Sequence, residues 1–444
     1  MARKSARFWN KTVETMPKSE LQKLQVKKLK HIVKKAYSNN KFYHDLYKKH
    51  KVDPGDIKKL EDIRKLLFLE KKTVRSAYPY GTALVPREQI LELHTTSGTT
   101  GKPTPCFATR KDLVYWGELN ARELWMTGIR PGDVLMNSYG YGLPTGGFGF
   151  HYGALKMGCM VIPKGTGGTT RQIELILDFG VTAVCMTPSY AIYLGQKAKE
   201  DGINLTRKSK LRIGLFGAEP WSMAVRNNIE KLFGITAYDE YGMTEFLGPG
   251  QGCECSERDG MHTWADAFIL ECIDPKTGEW VDEGEPGELV WTWISADGTG
   301  MIRYRSRDLS SVWWEKKCKC GRTHPKFAAV KGRTDDSVSI GGFIVYPSQV
   351  EEVLMRHPEI GANFRMVIDN VKGLDKLTVK AEVQDKKFVK DNKKSAKLAK
   401  LLQTELKSVI GLKSIIELVA PDTLPRSEAG ESKTATHRVE DRRN

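Results

Sequence analysis

The sequence predicts an α/β protein with two domains. The large N-terminal domain, residues 1–334, has βαβ-type sheets and a small barrel-like subregion, and residues 335–444 form a small α+β domain. Three observations predict this class. Strand-like and helix-like segments alternate from about 90 to 330, short strands with turns take over around 265–315, and a boundary falls near 332–336. Alternation at this spacing is typical of parallel βαβ units.

The first sixty residues predict amphipathic helices. Leu21 and Leu29 recur at helical spacing, while lysines such as Lys27 and Lys35 fall mostly on the other side. This segment carries a net charge of +12 and residues 386–413 carry +7, so the rest of a chain whose total is +16 carries −3. We interpret the basic charge as solvated helix faces, and we expect neither a nucleic-acid nor a membrane partner.

The elements of the two domains follow in order. In the large domain we expect strands at 134–136, 181–186 and 211–216, a helix at 171–179, and antiparallel strands at 269–273 and 287–293. In the small domain, Ser348 and Glu351 have the spacing of a capping box, which predicts that a helix begins just after Pro347. Strands at 364–368 and 377–383 and a helix at 393–409 complete it.

Composition excludes several classes of protein. With 40% hydrophobic residues spread along the chain, low-complexity disorder is excluded. No run approaches the roughly 18 apolar residues of a membrane span. The first residues lack the apolar core of a signal peptide. We expect a cytoplasmic enzyme.

A glycine- and threonine-rich segment predicts a phosphate-binding loop. The run is Thr95-Thr96-Ser97-Gly98-Thr99-Thr100-Gly101-Lys102-Pro103. Its backbone N–H groups and hydroxyls can surround a phosphate, and the lysine adds positive charge. It is not a Walker loop, because only two residues separate Gly98 from Gly101 and Pro103 disfavours a helix at Lys102.

This loop resembles the phosphate loop of the adenylate-forming superfamily, which contains acyl-CoA synthetases, adenylation domains of nonribosomal peptide synthetases and luciferases. Three further blocks resemble the superfamily in the expected order, at 238–245, 303–309 and 331–336. The resemblance implies a fold with a mobile C-terminal domain. It also implies an ATP site formed by Thr95, Thr96, Ser97, Gly98, Thr99, Thr100, Gly101, Lys102, Gly217, Ala218, Glu219, Asp239, Tyr241, Gly242, Met243, Asp308 and Arg333.

The same resemblance implies individual roles. Tyr241 would stack on adenine, Thr244 would contact a phosphate, and Glu245 would bind Mg²⁺. Asp308 would bind the ribose hydroxyls with Arg333 nearby, and Asp335 would be the pivot of the hinge. Lys433 would contact the carboxylate and the α-phosphate in the first half-reaction only.

Within the superfamily, the segments 139–147, 151–154, 187–190 and 216–221 resemble the phenylacetate-CoA ligases. The implied reaction joins an aryl carboxylate to ATP, which gives an acyl adenylate and pyrophosphate, and then transfers the acyl group to coenzyme A with release of AMP. Tyr139, Tyr141, Pro144 and Gly217 would line the acid pocket. Those ligases usually carry Phe where this chain has Pro144, so the acid can differ from phenylacetate in size or ring.

Two cysteine pairs predict a metal site. Cys253-Glu254-Cys255 and Cys318-Lys319-Cys320 lie in polar sequence, and each pair precedes a histidine, His262 or His324. Thiolates with imidazole favour tetrahedral zinc over disulfides in a cytoplasmic protein. The resemblance implies structural Zn²⁺ on Cys255, His262, Cys318 and Cys320, with Cys253 and His324 as substitutes. The other four cysteines are expected to be buried thiols.

Two alternatives stay open from the sequence. One is an adenylyltransferase that acts on a hydroxyl, of the deazaflavin coenzyme type, and forms no thioester. The other is a polyanion-binding protein that retains the fold without the activity. For the ligase we expect small-molecule partners, namely the aryl carboxylate, ATP and CoA, and a homodimer.

Overall fold

The computed structural model describes residues 6–96, 102–335, 338–340, 343–371, 374–425 and 438–443. The chain divides into two units. The first consists of Met1–Met186, Ser209–Ala218 and Thr236–Ala329, and the second of Thr187–Lys208, Glu219–Ile235 and Val330–Asn444. The sequence-based boundary between residues 334 and 335 stays a prediction.

The first unit contains seven named helices and thirteen strands among its described residues. The helices are α1 (Lys11–Glu14), α2 (Lys18–Asn39), α3 (Lys41–Lys49), α4 (Lys71–Ser76), α5 (Arg110–Met126), α6 (Gly147–Met157) and α7 (Thr169–Asp178). The strands are β1 (Glu92–Thr95), β2 (Pro105–Ala108), β3 (Val134–Asn137), β4 (Met160–Ile162), β5 (Ala183–Met186), β6 (Ile213–Gly217), β7 (Thr236–Met243), β8 (Gly248–Glu254), β9 (Met261–Thr263), β10 (Phe268–Ile273), β11 (Pro286–Trp293), β12 (Tyr304–Trp313) and β13 (Lys326–Phe327).

A long mixed sheet organises this unit. Its strands run in the order β10-β11-β12-β13-β9-β8-β7-β6-β5-β3-β4. The pairs from β7 to β4 are parallel, and those from β8 to β10 are antiparallel. Strands β5 and β6 are buried along their whole length, as expected for parallel strands with both faces covered. The predicted α/β class is confirmed, and the short strands around 265–315 continue the same sheet.

Helix α2 packs its apolar side on the body of this unit. Leu21, Leu29 and Ile32 are buried, which confirms the predicted amphipathic helix. Not all of its lysines are solvated, however. Lys35 pairs with Asp297 at 2.7 Å with a side chain only 14% exposed. The prediction of a fully solvated face is therefore wrong at this position, because an aspartate from a distant loop lies within reach.

The second unit combines two segments of helices with the C-terminal region. Its elements are α8 (Pro188–Glu200), α9 (Leu205–Lys208), α10 (Met223–Phe233), β14 (Gly332–Arg333), β15 (Val338–Ile340), β16 (Phe343–Val345), α11 (Pro347–Leu354), β17 (Ile360–Val371), β18 (Leu374–Val383), α12 (Lys386–Lys390), α13 (Asn392–Ile410), β19 (Ser414–Val419) and β20 (Val439–Asp441). The strands of its larger sheet run in the order β19-β18-β17-β20. Helices α11 and α13 contribute to one core with this sheet through Val350, Val353, Leu402 and Leu406.

Helix α11 begins where the sequence predicts, but its cap differs. The backbone N–H of Tyr346 donates to Gln349 Oε1 at 3.0 Å, so the side chain of Gln349 caps the start of the helix. Ser348 instead donates its hydroxyl to Lys331 O, and Glu351 pairs with Arg438 at 2.8 Å. The predicted Ser348–Glu351 box is therefore wrong, because the helix starts at Pro347 and the cap lies one residue before it.

Two global features concern membranes and thiols. None of the described helices combines the length and the hydropathy that a bilayer-spanning helix requires. All eight cysteines are buried free thiols. The four isolated ones, Cys106, Cys159, Cys185 and Cys272, are therefore buried as predicted.

Candidate active site and metal centre

Strand β7 carries the predicted adenine-binding tyrosine into an aromatic setting. The Tyr241 ring stacks on Trp291 with centroids 5.5 Å apart and meets Phe327 edge-on at 5.4 Å. Its hydroxyl donates to Asp308 Oδ2, and Ser306 Oγ accepts from the Asp308 backbone N–H at 3.1 Å. The structure thus brings the predicted adenine and ribose residues into direct contact.

A turn after β7 positions the predicted phosphate and magnesium residues. Thr244 and Glu245 form a short 3₁₀ turn, Thr244–Phe246. Glu245 is buried, and its Oε1 accepts from the Tyr304 hydroxyl at 2.8 Å. Gly242 is needed here, because a Cβ at this position would lie 2.2 Å from Gly248 O.

Neighbouring residues of the block are held by β8. The Met243 N–H donates to Gln251 Oε1 at 2.6 Å. The backbone N–H of Asp239 donates to Glu254 Oε2 at 2.9 Å. These contacts fix the backbone of β7, so the turn that carries Thr244 and Glu245 is supported from the adjacent strand.

The end of β6 lies beside the predicted acid pocket. The Gly217 N–H donates to the Tyr139 hydroxyl at 2.9 Å, and that hydroxyl donates to Glu240 Oε1 at 3.1 Å. Burial, followed by the charge of Asp239, raises the pKa of Glu240 to about 8. Ala218 follows with φ of +66°, a left-handed backbone conformation that is uncommon away from glycine and often found at functional sites.

The remaining predicted pocket residues lie after β3. The Tyr141 hydroxyl accepts from Asn137 Nδ2 at 3.1 Å and lies 3.2 Å from His151 Nδ1. Its ring meets Phe148 edge-on at 5.2 Å. Pro144 is half-buried in a turn whose ends, Tyr141 and Thr145, form an isolated antiparallel bridge. Pro144 therefore lies in a compact turn beside Tyr141.

The predicted phosphate loop is described only at its ends. The Thr95 N–H donates to Leu143 O at 3.1 Å, and Thr96 Oγ1 accepts from the Thr104 N–H at 3.0 Å. The Lys102 ammonium lies over the Tyr78 ring, 5.5 Å from its centroid. Ser97, Gly98, Thr99, Thr100 and Gly101 lie outside the described residues.

The second unit holds the other predicted site residues. Glu219 Oε1 accepts from the Ser189 N–H at 2.7 Å, near the start of α8. Arg333 forms a bidentate pair with Asp335, with Nε–Oδ1 at 3.0 Å and the second contact at 3.2 Å. Lys433 lies outside the described residues.

Four predicted metal ligands from three segments meet in the first unit. The ligand atoms of Cys255, His262, Cys318 and Cys320 all lie within 4.8 Å of one another, and all four residues are buried. Cys255 and Cys318 Sγ are 3.6 Å apart, and Cys320 Sγ lies 3.3 Å from His262 Nε2. His262 Nδ1 lies 3.3 Å from His324 O, which favours the tautomer that leaves Nε2 free to bind a metal.

The two substitute ligands have other partners. Cys253 Sγ contacts Glu254 O at 3.5 Å and does not belong to the group. His324 Nδ1 accepts from the Ala265 N–H at 3.0 Å, and its Nε2 lies 2.9 Å from Val13 O. The three thiols and one imidazole that remain are a donor set typical of tetrahedral structural zinc.

Sequence reasoning missed three residues that help to build the site. Trp291 stacks on Tyr241, Tyr304 binds Glu245, and Glu240 shares the Tyr139 hydroxyl with Gly217. Glu240 stands inside the block 238–245, where a carboxylate in the middle of a predicted strand was the available signal. Trp291 gives no such signal, because tryptophan is common in buried strands.

Comparison with known proteins identifies the family. A family model described as AMP-binding enzyme matches residues 11–295, and one described as AMP-binding enzyme C-terminal domain matches residues 342–443. The phenylacetate-coenzyme A ligase of Aromatoleum evansii is 39% identical over 433 residues, which cover 97% of this chain and 96% of that protein. The ligase of the same name from Thermus thermophilus is 38% identical, with 94% and 96% covered.

A solved structure agrees with these relatives. The crystal structure of 2-hydroxyisobutyryl-CoA ligase in the postadenylation state, in complex with R3-HIB-AMP, has a TM-score of 0.91 and 28% identity. The match covers 98% of this chain and 93% of that chain. Relatives and structure share acid activation by ATP followed by thioester formation, and they do not favour the adenylyltransferase alternative. This chain belongs to the AMP-binding enzymes and is an ATP-dependent, AMP-forming acid–CoA ligase of the phenylacetate-CoA ligase group.

Proposed function

We propose that the acid is an arylacetate, either phenylacetate or a close derivative. The observation that carries this proposal is the identity of 37–39% to several phenylacetate-coenzyme A ligases over nearly the whole chain. The aromatic side chains around the predicted pocket support it. Tyr139 stacks on the buried Phe150 at 5.8 Å, and Tyr141 meets Phe148 at 5.2 Å.

In the first half-reaction, the carboxylate oxygen of the acid attacks the α-phosphorus of ATP. A new P–O bond forms, and pyrophosphate leaves. We assign adenine binding to Tyr241 and ribose binding to Asp308 from the family resemblance, and the hydrogen bond between their side chains supports one shared nucleoside site. A site whose donors and acceptors are fixed in advance needs no reorganisation when ATP binds. In the second half-reaction, the CoA thiolate attacks the acyl carbonyl and AMP leaves.

Two metal ions belong to the proposal. Glu245 would hold Mg²⁺, since a carboxylate is a preferred ligand of this hard cation, and the ion would neutralise charge on the phosphates. Cys255, His262, Cys318 and Cys320 would hold structural Zn²⁺. Four protein ligands leave no open position for a substrate, so this ion would stabilise the fold around β8 and β9 and take no part in the reaction.

The second unit supplies the rest of the proposed site. Arg333 would contact the ribose, Asp335 would be the pivot of the hinge, and Lys433 would orient the carboxylate in the first half-reaction only. The bidentate Arg333–Asp335 pair supports placing the ribose contact and the pivot next to each other in the chain. Ser97 to Gly101 would surround the phosphates.

The location and the oligomeric state are also proposals. Eight reduced thiols and the use of ATP and CoA support a cytoplasmic location. For the homodimer, the supporting observation is that β4 ends the long sheet of the first unit and carries the exposed apolar side chain of Met160. Sedimentation of the purified chain checks the dimer, and a monomer at micromolar concentration would contradict it.

A panel of acids tests the proposed substrate. Purified enzyme is incubated with ATP, Mg²⁺ and CoA, and AMP is measured with phenylacetate, indoleacetate, benzoate, 2-hydroxyisobutyrate and butyrate. We expect an arylacetate to have the highest kcat/KM. A higher kcat/KM for 2-hydroxyisobutyrate, the acid named for the similar solved structure, would overturn the arylacetate assignment and leave the ligase activity unaffected.

A further inference from the structure

A buried carboxyl group lies beside the acid pocket with one oxygen unpartnered. Glu240 pairs with Gly217 in the register of β6 and β7 and is 6% exposed. Its Oε1 accepts from the Tyr139 hydroxyl, while Oε2 has no hydrogen-bond partner among the described residues. Burial of an unsatisfied polar atom costs about 1–3 kcal/mol, so such an atom calls for an explanation.

The position of this carboxyl connects it to the pocket. A Cβ placed on Gly217 would lie 2.5 Å from Glu240 Oε1, so the carboxyl occupies the space next to the missing side chain. Gly217 and Tyr139 are two of the four residues assigned to the acid pocket. Tyr139 binds both Gly217 and Glu240 through one hydroxyl, which fixes the direction of the carboxyl.

The chemistry of the group defines what it can bind. With its pKa raised to about 8, Glu240 is a neutral carboxylic acid near pH 7. Tyr139 supplies the hydrogen at Oε1, so the proton of a neutral Glu240 resides on Oε2, which is buried and has no partner among the described residues. A hydroxyl oxygen would accept it. An acid with an unsubstituted ring or alkyl group would leave this donor unpaired. Sites that are built to hydrogen-bond a substrate hydroxyl strongly reject analogues that lack it.

We propose that Glu240 is a specificity-determining residue that hydrogen-bonds to a hydroxyl substituent on the body of the acid. The substrate class is then a hydroxylated carboxylic acid, most simply a hydroxylated arylacetate. This inference rests on the proposed ligase function and narrows its substrate. Tyr139 is the positioning residue that holds Glu240 in place.

A competing explanation involves a second buried carboxyl. Glu123 on α5 is fully buried, its pKa is raised by burial and then by the charge of Glu240, and its Oε2 also has no partner among the described residues. A water molecule between the two carboxyls would satisfy both without any role in specificity. This alternative predicts that removal of either carboxyl leaves the choice of acid unchanged.

Matched pairs of acids test the proposal. The kcat/KM for AMP formation is measured for phenylacetate against mandelate and the 2-, 3- and 4-hydroxyphenylacetates, and for isobutyrate against 2-hydroxyisobutyrate. We expect wild-type enzyme to prefer at least one hydroxylated acid over its partner by about tenfold or more. In Glu240→Val that ratio falls to near one, whereas Glu240→Gln, which keeps a donor, retains part of it.

A second buried carboxyl provides the control for the Glu240 variants. Glu123→Gln is the matched control, because it changes a buried carboxyl of the same unit, and it should keep the wild-type ratio. Turnover of the unsubstituted acids without any preference for a hydroxyl would overturn this inference and leave the ligase function intact. Absence of AMP formation with every acid would instead refute the proposed function. If Glu240→Val does not fold, the preference of the wild-type enzyme for hydroxylated acids still tests the proposal. Tyr139→Phe tests it as well, because this variant should have a lower preference for hydroxylated acids than wild type.

Discussion

At the residue scale, buried carboxyl groups set the response of the first unit to pH. Glu240 is held by Tyr139 and lies near the charges of Asp239 and Glu123. Its pKa is raised from 4.5 to about 8, so the folded protein keeps a proton that the unfolded chain loses above pH 4.5. The folded state is therefore penalised progressively as the pH rises from 4.5 to 8.

Replacement of the Glu240 carboxyl should change how the stability of the protein depends on pH. Glu240→Gln removes the titrating group and keeps its shape, so the variant should gain stability relative to wild type as the pH rises. Between pH 4.5 and 8, each pH unit adds up to about 1.4 kcal/mol to the difference in the free energy of unfolding between variant and wild type. Thermal unfolding at pH 5 and pH 8 checks it, and the difference in Tm between variant and wild type should grow by a few degrees. A pH-independent difference would contradict the protonated state of Glu240.

Residues also show where sequence reasoning reaches its limit. Tyr241 and Asp308 could be assigned from motif blocks, and the structure places their side chains in contact. Glu240 was overlooked although it stands in the same block. The polar and apolar alternation that assigns faces of a strand is absent in β7, because five consecutive residues of its eight are buried.

At the element scale, the N-terminal segment supports the loop that carries Cys318 and Cys320. Glu14 of α1 pairs with Arg322 at 2.7 Å, and both side chains are buried. The Thr323 N–H donates to Glu14 O at 3.2 Å, and His324 contacts Val13 O at 2.9 Å. The start of the basic segment therefore has a structural role next to the four candidate metal ligands.

Removal of Glu14 should destabilise this loop. Glu14→Ala leaves the buried Arg322 without its partner, which costs about 3–5 kcal/mol in comparable cases. A lowered midpoint of urea unfolding checks the prediction. Glu20→Ala, at an exposed position on α2, is the control and should change stability little. Equal effects of the two variants would show that the Glu14–Arg322 pair does not support the fold.

The metal centre gives a prediction for β8, β9 and the loop before β13. Purified protein should contain about one zinc ion per chain. Cys318→Ser should lose most of this zinc and unfold at a lower temperature, because the ion would join segments that are distant in the sequence. Cys253→Ser is the matched control, since Cys253 is buried nearby but does not belong to the group. Undiminished zinc in Cys318→Ser would remove it from the site.

Elements differ in how far the sequence predicts them. Helix α13 and strand β18 carry strong periodic or β-branched patterns and lie where expected. The predicted cap of α11 was wrong, because the pairs Ser348–Glu351 and Tyr346–Gln349 overlap in the sequence. The backbone position of Tyr346 decides between them. The metal ligands came from a family resemblance, since spacing alone does not determine which cysteines meet.

At the scale of the whole molecule, part of the net charge of +16 is used in contacts within the first unit. Some basic residues of the N-terminal segment pair within the first unit, as Lys35 does with Asp297 and Lys28 Nζ does with Asp266 O at 2.6 Å. The charge therefore serves folding in part. The activity consists of two half-reactions, adenylate formation and thioester formation, and Lys433 should be needed only for the first.

Lys433→Ala should abolish one half-reaction and spare the other. We expect formation of acyl adenylate to fall by about 10²–10³-fold, a typical loss when a group that stabilises transition-state charge is removed. Formation of thioester from presynthesised acyl adenylate and CoA should change little. Lys413→Ala, at an exposed position of the same unit, is the control for charge. Equal loss of both half-reactions would refute the role of Lys433.

This chain activates a carboxylic acid as an adenylate before CoA reacts. The most direct measurement is exchange of labelled pyrophosphate into ATP in the absence of CoA. We predict exchange that depends strictly on the acid, and net AMP and thioester formation only after CoA is added. Transfer of AMP with no carboxylate present would contradict the ligase mechanism.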